Sequence, residues 1–121
     1  MWKFRVPVLV ALLLGSAAGA SDTAVPAVPA RSKVNLPSLI SNEDYPASAQ
    51  AAQEQGPVEF TLDVGPDGRV TGCVVTLSSG SPALDSTTCR LMRSRARFTP
   101  ALDDAGATVA DRMTGRIIWR L

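Results

Sequence analysis

Val58-Glu59-Phe60-Thr61-Leu62-Asp63-Val64-Gly65-Pro66-Asp67-Gly68 is the stretch on which the fold turns. Val58, Phe60, Leu62 and Val64 alternate with Glu59, Thr61 and Asp63, the period-two pattern of a strand with one buried face. Gly65-Pro66-Asp67-Gly68 then reads as a tight turn, because Asp and Gly tolerate the positive φ that hairpin turns demand. A phosphate-binding glycine loop would need Lys-Ser/Thr and a helix after it, and neither follows. The chain therefore doubles back. A return strand is expected from about Arg69 to Leu77, with Cys73, Val75 and Leu77 on one face.

Downstream, Ser78-Ser79-Gly80 reads as the turn that leaves the strand rather than as a nucleophile. Ser81 can cap a helix whose first position is Pro82, and Asp85 in its first turn complements the helix dipole. Thr88, Cys89, Met92 and Ala96 form the inward stripe, flanked by Leu84 and Leu91, and Pro100 stops the helix. Arg90, Arg93 and Arg97 gather on the far side as a solvated face, a reading preferred to contact with anionic lipid or an acidic partner. Residues 101–107, with Asp103-Asp104 and Gly106, read as a loop. Met113, Gly115, Ile117, Trp119 and Leu121 then alternate with Thr114, Arg116, Ile118 and Arg120, giving a third strand with one apolar and one basic face.

Upstream, Pro46 suits a first helical position and Gly56 a stop, so residues 46–55 are expected to form a short helix with Tyr45, Ala49 and Ala52 inward. Residues 21–44, punctuated by Pro26, Pro29 and Pro37, read as a flexible tether reaching about 75 to 80 Å when stretched. Before it, Lys3 and Arg5 precede an apolar run from Val6 to Leu14 and the small residues from Gly15 to Ala20, the layout of a secretory signal peptide. Cleavage after Ala20 is the favoured outcome. The alternative is an inner-membrane anchor over residues 6–20, although that run falls short of the ~20 residues of a spanning helix. No Cys follows the run, which argues against a lipoprotein. The domain expectation is thus 1–20 leader, 21–44 tether, 45–121 folded unit in an exported, periplasmic chain.

The full chain has 12 Lys and Arg against 11 Asp and Glu, so losing Lys3 and Arg5 leaves 10 basic residues and a net charge of −1. That balance argues against a nucleic-acid partner. The absence of His removes Ser-His-Asp and Cys-His catalysis, His-liganded zinc and the commonest general base. Asp103-Asp104 has no second carboxylate cluster beside it. The reading is of a non-enzyme without cofactor or metal. Two cysteines in an exported chain read first as one disulfide. Periodicity by itself supports an α+β fold of two layers.

The landmarks Tyr45-Pro46, Gly56, Asp67-Gly68-Arg69-Val70, Ser78-Ser79-Gly80, Leu84-Asp85, Phe98-Thr99-Pro100-Ala101 and the closing alternation to Leu121 together resemble the carboxyl-terminal domain of TonB-type energy transducers, over residues 42–121. The resemblance implies the order α-β-β-α-β, a three-stranded antiparallel sheet with the second helix packed on one face, and the last strand at an edge. It implies that a peptide from a TonB-dependent outer-membrane receptor adds as a strand along Arg112, Met113, Thr114, Gly115, Arg116, Ile117, Ile118, Trp119 and Arg120. Asn42, Glu43 and Asp44, just before Tyr45-Pro46, would lie near that peptide, although the Gln-Pro-Gln of some members is missing. In such a fold Cys73 and Cys89 meet between strand and helix.

Complete transducers also engage an inner-membrane proton-channel complex of the ExbB and ExbD type. This chain departs from them in its short spacer and in lacking the His common in their anchor. A soluble periplasmic module uncoupled from that motor is the alternative function. The exposed edge leaves both monomer and homodimer open.

Overall fold

The computed structural model describes residues 25–121, so the leader lies outside the described residues. Three long strands form one antiparallel sheet: β1 (Gly56–Val64), β2 (Val70–Leu77) and β3 (Asp111–Trp119), in the order β2-β1-β3. Helix α2 (Pro82–Arg95) packs on one face, and the short helix α1 (Ala47–Ala51) touches it. The fold is the expected α+β arrangement with β3 at an edge. Val58, Phe60, Leu62 and Val64 fill the interface from the sheet, and Leu84, Thr88, Leu91 and Met92 meet them from α2. Thr87 is also buried, which the predicted stripe omitted.

The landmarks of the sequence are explained by contacts between them. Gly68 adopts φ +83°, and a Cβ there would sit 2.1 Å from the carbonyl oxygen of Phe98, whose own N–H donates to the Gly68 carbonyl at 2.9 Å. Only glycine lets the hairpin turn close against the Phe98 backbone. Asp85 reaches back from α2 to the strand exit, where the Ser79 N–H and hydroxyl donate to it at 3.0 and 2.8 Å and the Ser78 hydroxyl donates as well. Burial works against its charge, but these bonds outweigh it and hold the carboxyl below its ordinary range. Ser81 caps α2 through the Leu84 N–H at 3.2 Å. Cys73 on β2 and Cys89 on α2 form a disulfide, with Cα atoms 5.6 Å apart.

Several expectations need correction. Helix α1 covers Ala47–Ala51, half of residues 46–55, with Pro46 as its N-cap. It ends in a Schellman motif: Glu54 N–H donates to the Ala49 carbonyl, Gln53 N–H to that of Gln50, and Gln53 takes the left-handed φ of 55°. The stop thus comes three residues before Gly56, which opens β1, and Ala52 is exposed. Leu77 leaves the face of Cys73 and Val75 because a bulge between Glu59 and Phe60 pairs Val75 with Phe60 but Leu77 with Glu59. Helix α2 ends at Arg95, before Pro100 can act, because Phe98-Thr99 pairs with Arg31-Ser32. The loop from residue 101 carries its own short pairing of Ala101-Leu102 with Thr108-Val109. Leu121 lies beyond β3 and is exposed.

The largest difference concerns residues 28–44, most of the stretch read as a tether. Val28 bridges Leu102, Arg31-Ser32 pairs with Phe98-Thr99, and Ala30 is buried with its N–H donated to Asp111 Oδ2 at 3.0 Å. A 3-10 turn, Leu36–Leu39, then lays Leu36 and Leu39 against the core over β3, with Ile40 beside them. This segment is a strap. The proline spacing that suggests a tether gives no weight to Leu36, Leu39 and Ile40, whose i, i+3, i+4 spacing is the apolar signal of a packed turn.

Candidate edge-strand binding site

Strand β3 pairs with β1 over its whole length, from Gly56 opposite Trp119 to Val64 opposite Asp111, and no strand among the described residues pairs on its other side. Its side chains divide as the sequence indicates. Ile117 and Trp119 are buried, Met113 and Gly115 partly so, while Arg112, Thr114, Arg116, Ile118 and Arg120 are exposed.

The inner face is fixed by close packing. Gly115 leaves room for the Phe60 ring, which a Cβ would approach to 2.6 Å, with Leu36 Cδ1 at 3.1 Å. Trp119 packs edge-on against Tyr45, centroids 5.2 Å apart, and its Nε1–H donates to Thr88 Oγ1 at 2.8 Å. Thr88 in turn donates to the Leu84 carbonyl at 2.8 Å. The Tyr45 hydroxyl donates to the Glu54 carbonyl. Trp119 therefore belongs to the core through its side chain and to the edge only through its backbone.

The register gives the outer arginines partners within the chain. Arg112 stands opposite Asp63, with Nε 2.9 Å from Oδ1, and Arg116 opposite Glu59 at 3.9 Å. Both pairs are well exposed, where such contacts contribute little. Arg120 makes no ion pair among the described residues.

Of the residues before Tyr45-Pro46, the structure brings Asn42 to the edge. A groove of about 150 Å³ runs between Pro37, Ile40 and Asn42 on the strap and Ile118 and Arg120 on β3. Asp44 has another task. It accepts from the Ser41 N–H at 2.9 Å, closing a capping box on the turn Asn42–Asp44, and receives both Nη1 and Nη2 of Arg95 at 2.7 Å. Arg95 Nη1 also donates to the Leu39 carbonyl at 2.8 Å, so the pair clamps the strap to the end of α2. The Arg95 guanidinium and the Ser41 N–H hold the Asp44 carboxyl well below the usual range. Glu43 is exposed. Ile40 and Arg95 were not singled out from the sequence, and Pro37 was read there only as punctuation of a tether. Arg95 could have been noticed only by looking for a partner to an acidic residue 51 positions away.

No group of three His, Cys, Asp or Glu side chains that could hold a metal occurs among the described residues, and no helix among them is long and apolar enough to cross a membrane. Comparison with curated proteins gives no match. The family model for the Gram-negative bacterial TonB protein C-terminal matches residues 41–121, two thirds of the chain, and the protein belongs to that family.

Proposed function

We propose that this TonB-like domain of envelope transport, a family whose location is the periplasm, takes up a peptide from an outer-membrane receptor as a fourth strand along Arg112–Arg120. The observation that carries this is the one-sided pairing of β3 beside a groove walled by the strap. An edge strand offers unpaired N–H and C=O groups, so affinity comes from the backbone with little demand on the peptide sequence. Pro57, opposite Ile118, has no N–H to give, which fits a pair whose Ile118 N–H and C=O turn outward. Asn42 and Ile40 then meet the side chains of the incoming strand near Ile118 and Arg120, whereas Glu43 and Asp44 stay out of contact. Asp63 and Glu59 already neutralise Arg112 and Arg116, which leaves Arg120 as the cation for an acidic receptor residue.

Peptides copied from the periplasmic amino-terminal segments of outer-membrane receptors provide the test, with Trp119 fluorescence as the readout. Ile118→Pro is expected to weaken binding about tenfold or more, and Arg116→Ala less than about threefold, as suits an exposed ion pair. Circular dichroism must show Ile118→Pro folded. Unchanged affinity in that folded variant would move the site elsewhere. Coupling to an inner-membrane motor and action as a soluble, uncoupled module are separated by the amino terminus of the protein from cells. Ser21 as the first residue of a soluble fraction would rule out the anchored form.

A further inference from the structure

The ladder that fastens the strap also builds a row of like charges. Arg31 pairs with Thr99 and Ser32 with Phe98, and the next step of that register brings the Lys33 N–H to the Arg97 carbonyl at 3.0 Å. On its other side Arg97 bridges Arg69, antiparallel. Lys33, Arg97 and Arg69 therefore stand side by side on three adjacent backbones, about 5 Å from one to the next. Arg31 lies two residues further along the first. All four side chains are exposed, and none makes an ion pair among the described residues. The nearest carboxylate in sequence, Asp67, is engaged through Oδ1 by the Arg69 backbone N–H at 3.0 Å.

Like charges directly opposite one another destabilise a ladder, and nothing in the packing requires them here. Phe98, between Arg97 and Thr99, is the core residue, and the cations point away from it. A row of exposed cations on three adjacent backbones is complementary to the many phosphates of an anionic bilayer surface, which attracts each Lys or Arg held near it, rather than to a single small ion.

We propose that the surface formed by Arg31, Lys33, Arg69 and Arg97 docks on the phosphate headgroups of an anionic phospholipid membrane. The inference is independent of strand addition at β3.

The test is partition of the full chain into vesicles of phosphatidylglycerol and phosphatidylcholine against phosphatidylcholine alone. The leader is present in every variant and contributes equally. Lys33→Gln/Arg69→Gln/Arg97→Gln is expected to lose about a hundredfold of the anionic-lipid-dependent partition, at about fivefold per cation near the surface. Arg112→Gln/Arg116→Gln/Arg120→Gln removes the same charge elsewhere and should change it by less than about threefold. Equal losses in the two variants would reduce the effect to net charge and overturn the proposal. So would equal binding to both vesicle types. Displacement by millimolar inorganic phosphate would indicate a small-anion site instead, and displacement by polyglutamate an acidic polypeptide partner. Arg97→Glu guards against misfolding as an explanation: it should raise the melting temperature by relieving the row while lowering partition. A lower melting temperature would mean that the row is not repulsive, and the argument for an anionic partner would fall.

Discussion

Thr88 is the residue through which α2 and β3 are held in polar register. It is fully buried, accepts from Trp119 Nε1 and donates to the Leu84 carbonyl. Thr88→Val keeps the shape and removes the acceptor, leaving the indole N–H unsatisfied in the core. A loss of about 1 to 3 kcal/mol in urea unfolding is expected, with a change in Trp119 fluorescence of the folded state. Asp44 makes a different prediction. Its folded-state pKa is depressed, so its contribution to stability is fully present above the unfolded value of about 3.9 and is lost as pH falls toward the lower folded value. The pH dependence of unfolding between about pH 4 and 2 should therefore be shallower in Asp44→Asn than in the parent. At pH 7 the variant should be the less stable of the two. Identical slopes in acid would mean that Arg95 does not hold Asp44 in solution.

At the scale of elements, the disulfide joins the free edge strand β2 to α2. A bulge near each end of the β2–β1 ladder interrupts its register, so the covalent link to α2 adds to the hold on β2. Closing a loop between residues 16 apart stabilises by roughly 3 kcal/mol on the chain-entropy model. Cys73→Ser/Cys89→Ser should lose about that much in denaturant unfolding. Thiol titration of the denatured, unreduced parent from the periplasm should find no reactive thiol. Two reactive thiols there would remove the bond.

For the whole molecule, the strap makes the sheet face complete. Helix α2 covers β1 and β2, and β3 is met instead by the 3-10 turn of the strap, with Leu36 at Gly115 and Leu39 and Ile40 also packed against the core. A chain starting at residue 45 lacks these side chains, the buried Ala30 and both partners of Arg95. It is expected to be less stable than a chain starting at residue 25 by about 3 kcal/mol or more, taking half-burial of each large apolar side chain at about 1 kcal/mol. Thermal unfolding of the two purified fragments measures this. Equal stability would mean that the strap is dispensable, and the tether reading of residues 21–44 would stand.

The alternation of Val58 to Val64, the turn at Gly65–Gly68, the capped helix from Ser81 and the two-faced run to Trp119 are local patterns. Each is dictated by which side of one element is apolar and by which residues tolerate a turn, so the sequence by itself determined the elements and the α+β class. The edge position of β3 came through the resemblance, because periodicity does not order strands. Three matters were left to tertiary structure. The bulge beside Phe60 turned Leu77 to the other face, since strand phase depends on how a partner strand pairs. Asp63 and Glu59 captured Arg112 and Arg116 through register, and Arg95 captured Asp44 from 51 residues away. The strap became part of the core because β3 left an apolar surface uncovered by α2. A sequence window records which residues are apolar, but not which distant surface remains to be buried, and that surface decided where residues 28–44 went.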